Sequence, residues 1–143
     1  MARISIFNMF IGFVLIFIAA LGGPFLSQIS TAEFVQSNIH QKTWLFTLLS
    51  SAHGHTNLFG MLHILMGLSF PYSLNSMLIK KIQSLFLLLG SLSMSCLLVI
   101  KAFSMPEIGF DILGIVMGIG LSAAICSIGI HTFGLFKKWM RTL

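Results

Sequence analysis

The chain of 143 residues is 57% hydrophobic and 8% charged, and it carries a formal net charge of +5. Soluble domains hold about 25% charged residues, so this composition, with a mean hydropathy of +1.01, excludes an ordinary soluble domain and predicts an integral membrane protein. The basic surplus is expected at a membrane edge, where it sets topology and meets anionic lipid, and nucleic acid is not expected as a partner.

In chain order, Arg3 precedes a first apolar run, Ile4–Gly23. The small residues at its end, Ala19 to Gly23, resemble a signal-peptide cleavage region, but the run is long for such a segment and reads as a span. Pro24 to Thr43 is the longest connection and is expected to hold a short interfacial helix carrying Phe25, Leu26, Ile29, Phe34, Val35 and Ile39. The second span is predicted at Trp44–Phe70, followed by a short turn at Pro71–Ser76, then spans at Ile82–Phe103 and Phe110–Phe136. Each is about the 20 residues that a hydrocarbon core of about 30 Å requires. None shows the alternation of barrel strands, so helices are expected.

The sequence therefore predicts an all-α fold, an integral membrane four-helix bundle forming one domain over residues 1–143. If both termini share a side, that side collects Arg3, Lys80, Lys81, Lys137, Lys138 and Arg141. The other holds Lys42 and Lys101 against Glu33, Glu107 and Asp111. The positive-inside rule then puts both termini in the cytoplasm, and the expected location is the bacterial inner membrane. Trp44, Tyr72 and Trp139 suit interfacial anchoring. Cys96 and Cys126 fall within spans, away from an oxidising compartment, and read as buried apolar residues. Gly12, Ala19 and Gly23, like Ser84, Ser91 and Ser95, make small-residue stripes of the kind that let membrane helices approach closely.

The second span also holds three histidines and an asparagine. A charged side chain at membrane depth costs about 2.5–3.5 kcal/mol on insertion scales, so such residues usually meet a partner, a cavity or a cofactor. His53, Asn57, Gly60, His63 and Gly67 fall within about 120° on a wheel advancing about 100° per residue, whereas His55 faces the other way. On the fourth span Gly120, Ala124, Ser127, His131 and Gly134 form a second stripe. His63 and His131 lie at similar heights, so an imidazole from each could ligate the two faces of one planar heme b, with Gly60, Gly67 and Ser127 among the residues pressing flat against it. Lys80, Lys81, Lys137 and Lys138 would then lie near the propionates. His53 and His55 diverge too far to chelate one ion and can serve two sites. Asn57 can orient His53. His40 sits in the outer connection as a possible cap. Met61, Met66, Met94, Met105 and Met117 read as bundle filling, although with the histidines they offer a copper path.

The segment His53-Gly-His-Thr-Asn-Leu-Phe-Gly60 resembles the HGHxxLFG segment of the quinol-type nitric oxide reductases of the heme-copper oxidase superfamily, whose two histidines ligate two different hemes. The resemblance implies heme iron ligands at His53 and His55. The family's further spans and its second-metal histidines have no counterpart here. The layout is also similar to small four-span bacterial membrane proteins with an HxH in the second span and a histidine late in the fourth.

No hydrolytic dyad or phosphate loop is present in the sequence. The expectation is a membrane-embedded heme b protein for electron transfer or diatomic gas binding, and any enzyme activity would be that of a heme-dependent oxidoreductase. A homo-oligomer or a larger respiratory complex is expected, with quinone or a diatomic gas as small partners. Copper handling and a non-catalytic accessory subunit are the alternatives.

Overall fold

A computed structural model describes the backbone of residues 2–36, 39–104 and 111–143 and, within these, the side chains outside 32–43. Met105, Glu107, Phe110 and the side chains of Glu33, Phe34, Val35, Ile39, His40 and Lys42 lie outside what is described. Among the described residues all regular structure is helical. Helix α1 runs Arg3–Gln36 and α2 runs Ile39–Ser69, closed by a short 3-10 turn at Phe70–Tyr72. Helix α3 (Met77–Leu92) passes through a π-helical turn at Ser93–Leu97 into α4 (Leu98–Ala102), and α5 spans Ile112–Met140. The described residues thus form four rods.

Three stretches, Arg3–Thr31, Met77–Ala102 and Ile112–Met140, are long and apolar enough to cross a membrane. At 31 residues α2 has the length, but four histidines and Asn57 dilute its apolar character. The other departures from expectation also have local causes. The first helix does not stop at Pro24, because a proline inside a helix removes one hydrogen bond and can be accommodated, so α1 continues to Gln36 where a separate interfacial helix was expected. The third helix starts five residues before Ile82, capped by the Ser76 hydroxyl, which accepts from the Ile79 N–H at 3.4 Å. Cys96 and Cys126 are exposed on the outside of the bundle rather than buried.

The rods pack as two close pairs, α1 with α2 and α3 with α5, joined where α2 meets the π turn and α4. Glycine makes the pairs close. A Cβ on Gly60 would stand 3.0 Å from the Gly12 carbonyl oxygen, and one on Gly67 would stand 2.6 Å from that of Ser5. Gly90 and Gly120 do the same between α3 and α5, with Ser93 of the π turn seated against Gly120. Leu15, Phe59, Met66, Phe70, Leu87 and Ala124 fill the apolar centre. The turn after Phe70 is tied to α5, with Asn75 Nδ2 donating to the Ile130 carbonyl at 3.1 Å and the Leu74 N–H to that of Gly134 at 3.4 Å.

At the opposite end the Trp44 indole donates to the Ser104 carbonyl at 3.0 Å, and Lys101 pairs with Asp111 at the start of α5. The Lys101 hydrogen bond, then the Gly114 N–H, hold the Asp111 carboxyl below the ordinary carboxylate range. A carboxyl lowered in the folded state adds stability above its ordinary pKa of about 3.9, and loses it as pH falls through the lower folded value. The pair is solvated, so the effect is small and screened by salt. Asp111→Asn is therefore expected to lower the thermal midpoint slightly at pH 7, and the difference from wild type should shrink as pH falls below the ordinary carboxylate range, or in molar salt. A difference that shrinks under neither condition would show that the side chain acts by something other than its charge.

Candidate functional site

Three polar groups sit inside the bundle, and each is built on a histidine. The innermost centres on His63, which has no exposed surface, like Asn8 on α1. Asn8 Nδ2 donates to the Ile4 carbonyl at 2.9 Å and to the Ser84 hydroxyl at 2.6 Å. A carbonyl only accepts, so the amide nitrogen must face Ile4, and Asn8 Oδ1 is left to accept from His63 Nδ1 at 3.0 Å. His63 therefore carries its proton on Nδ1. Its Nε2 faces the Ser91 hydroxyl at 3.4 Å, although that hydroxyl has a shorter bond, 2.8 Å, to the Leu88 carbonyl. Ser84 passes its own proton to the Lys80 carbonyl at 3.0 Å. The result is a directed chain of hydrogen bonds crossing α2, α1 and α3.

The second group joins α2, α3 and α5. The Ser69 hydroxyl donates to the Leu65 carbonyl at 2.6 Å, so at 2.7 Å it accepts from His131 Nε2–H. His131 Nδ1 is buried without a partner among the described residues, and the Phe70 ring meets the imidazole edge-on at 5.3 Å. Ser127 is fully buried and donates to the Gln83 carbonyl at 2.7 Å, while Gln83 Nε2 reaches the Ser127 carbonyl at 3.5 Å. Ser127 is thus a bridge between α3 and α5.

The third group is the HxH of α2. Asn57 Nδ2 donates to the His53 backbone carbonyl at 3.3 Å and to His53 Nε2 at 3.2 Å. The carbonyl again fixes the amide, so Nε2 accepts and the proton sits on Nδ1, which is buried without a partner among the described residues. His55 is set differently. Its Nδ1 lies 2.8 Å from the Ser51 carbonyl and must donate to it, which leaves the Nε2 lone pair unengaged among the described residues. The ring is partly exposed on a face of α2 that also carries Leu58, Met61 and Leu65, at 47%, 51% and 61% exposure.

This arrangement does not fit a heme shared by His63 and His131. His63 spends its proton on Asn8 and is fully buried with Nε2 turned toward Ser91 inside the bundle, and His131 spends Nε2 on Ser69. The glycines expected to lie flat on a porphyrin are occupied by helices instead: Gly60 by Gly12 and Ile16, Gly67 by Ser5 and Met9, and Gly120 by Ser93 and Leu89. Matching height and a stripe of small residues are also what two helices need in order to touch, which is why the pattern was ambiguous. His55 does fit a metal ligand, since a ligating imidazole usually anchors one N–H on a carbonyl or carboxylate and offers the other nitrogen. Among the described residues, no three His, Cys, Asp or Glu side chains converge on a point.

Asn8 and Gln83 are central to the inner groups, and sequence reasoning passed over both. The available signal was an amide inside an apolar run, which is costly unless partnered. Comparison with known proteins finds no matching family model, no matching curated protein and no matching solved structure.

Proposed function

We propose that this chain is a four-span protein of the bacterial inner membrane, with both termini cytoplasmic, that holds heme b for electron transfer through His55. A second copy of the chain would supply the sixth ligand from its own His55. The observation that carries this reading is the His55 imidazole itself, anchored through Nδ1 on the Ser51 carbonyl with Nε2 free on an uncovered face of α2. An acceptor nitrogen facing lipid is costly, and coordination removes that cost. The resemblance of His53–Gly60 to a heme-ligand helix points the same way. Collection of Arg3, Lys80, Lys81, Lys137, Lys138 and Arg141 at one end favours the cytoplasmic placement of the termini.

Heme is favoured over copper because the porphyrin brings four ligands of its own, so one imidazole from each copy completes the iron. Bare copper needs a cluster of protein donors, and no group of three His, Cys, Asp or Glu side chains is present among the described residues. When bound, the iron would cycle by one electron, and the chain's part is to hold it and exclude water.

The test is an optical spectrum of the detergent-purified protein, air-oxidised and then dithionite-reduced, with a pyridine hemochrome assay. The expected result is a Soret band with sharp reduced α and β bands and about one heme per two chains. His55→Ala should lose the heme, whereas His63→Ala and His131→Ala should keep it. A colourless wild type, or heme retained in His55→Ala, removes this reading. A colourless protein recovered with larger partners would leave the accessory-subunit alternative in front.

A further inference from the structure

Helices α1, α2 and α4 enclose a cavity of about 220 Å³ whose wall includes Gly22, Phe25, His53, Thr56, Val99 and Phe103. The wall is apolar except at two points. The Thr56 hydroxyl donates to the Ala52 carbonyl at 2.7 Å, so its proton is spent. His53 remains. Asn57 fixes its proton on Nδ1, and that N–H is buried without an acceptor among the described residues, close to where a Cβ on Gly22 would stand, 3.8 Å away. An unpaired buried donor is a standing cost that a suitable acceptor would remove.

The nature of the acceptor follows from the surroundings. A water held there would have one firm partner where buried waters usually have about three, so the cavity is a poor water site. Phospholipid ester carbonyls stay at the interface, and His53 lies about 13 Å along α2 from Trp44, at about 1.5 Å per residue. The group that fits is an apolar ring carrying its own carbonyl oxygen and arriving through the bilayer. Phe25 and Phe103, 56% and 69% exposed, border the cavity on its lipid side. At about 220 Å³ the space lies below the usual range for drug-sized ligands, and it suits one or two fused rings.

We infer that this cavity binds the ring of a lipid-soluble quinone, with one carbonyl oxygen accepting from His53 Nδ1–H. The site is separate from His55, which faces away from it, and the inference does not rest on heme being present. It also gives Gly22 a role, since a larger side chain there would fill the space beside the donor.

The test uses the full chain in detergent with decylubiquinone as probe, read by quenching of the fluorescence of Trp44, whose indole is bonded to Ser104 next to the cavity-lining Phe103, with a Trp44→Phe protein correcting for Trp139. Saturable quenching is expected in wild type. His53→Phe, which keeps the ring and removes the donor, should bind about tenfold more weakly. Gly22→Leu should weaken binding at least as much by filling the space, with His53 itself unchanged. Decylbenzene, which has the tail and ring but no carbonyl, should compete poorly. Absence of saturable quenching in wild type, unchanged affinity in a folded His53→Phe protein, or equal competition by decylbenzene would each overturn the inference. If neither variant folds, the decylbenzene competition on wild type still decides. Because the titration is read on tryptophan and not on a Soret band, its failure is distinguishable from failure of the heme reading.

Discussion

Gly12→Val is expected to separate α1 from α2 and to lower stability by about 3 kcal/mol or more, the upper part of the range for overpacking a tight contact. The reason is what a side chain at position 12 would meet. Its Cβ would stand 2.5 Å from the Gly60 carbonyl oxygen and 2.9 Å from the Ile64 backbone nitrogen. Backbone atoms of a helix cannot step aside as the end of a side chain can, so the helices must move apart, and the contacts along the seam go with them. Even Gly12→Ala should cost about 1–2 kcal/mol, because the clash outweighs the gain of up to about 1 kcal/mol that alanine brings to a helix interior. The control reverses the sign. Nothing lies within 4 Å of a Cβ built on Gly118 or Gly129, so Gly118→Ala and Gly129→Ala should be neutral or stabilising. Thermal midpoints in one detergent would show the split, and equal destabilisation at all three glycines would refute the seam.

That contrast also marks how far the sequence alone was legible. Helical class follows from composition, since lipid offers the backbone no partner and the apolar runs have the length of a bilayer. The stripes on the second and fourth spans are equally visible, and on α5 Gly120, Ala124, Ser127, His131 and Gly134 do share the buried face. What covers a stripe is not visible. A helical wheel gives each residue's angle about its own axis and nothing about which neighbour arrives there, so Gly60 and Gly67 could equally have met a porphyrin or the backbone of α1. Histidine rings raise the same problem. His53, His55, His63 and His131 look alike in a sequence, but Asn57, Ser51, Asn8 and Ser69 give each a different nitrogen to offer. Ser51 and Asn57 lie one helical turn from their histidines, so those two pairings could have been read from spacing. Asn8 lies 55 residues from His63, and no local pattern links them.

The link between Asn8 and His63 carries the second large effect. Asn8→Leu keeps the branched shape and the number of heavy atoms, but leaves the His63 Nδ1–H without its acceptor and the Ser84 oxygen without its donor in the middle of the bundle. A stranded buried group costs about 1–3 kcal/mol in soluble proteins. Hydrogen bonds between membrane helices average about 0.6 kcal/mol in double-mutant cycles, because the unfolded helices also find partners in the membrane. The two bonds together should therefore cost about 1–3 kcal/mol, nearer the upper end because the Nδ1 proton has no other acceptor in reach. A cycle with His63→Phe separates this from simple repacking. Once the imidazole is gone, Asn8→Leu strands only Ser84, so its cost should shrink by at least about 0.5 kcal/mol, the lower limit of coupling expected for residues in contact. Strictly additive losses would mean that Asn8 and His63 stabilise the bundle independently, and the directed chain from His63 through Asn8 and Ser84 to the Lys80 carbonyl would have to be abandoned as an energetic unit. The heme and quinone readings make no demand on this cycle. His63 then serves to hold α1, α2 and α3 together, and the proposed heme and quinone sites rest on His55 and His53 instead.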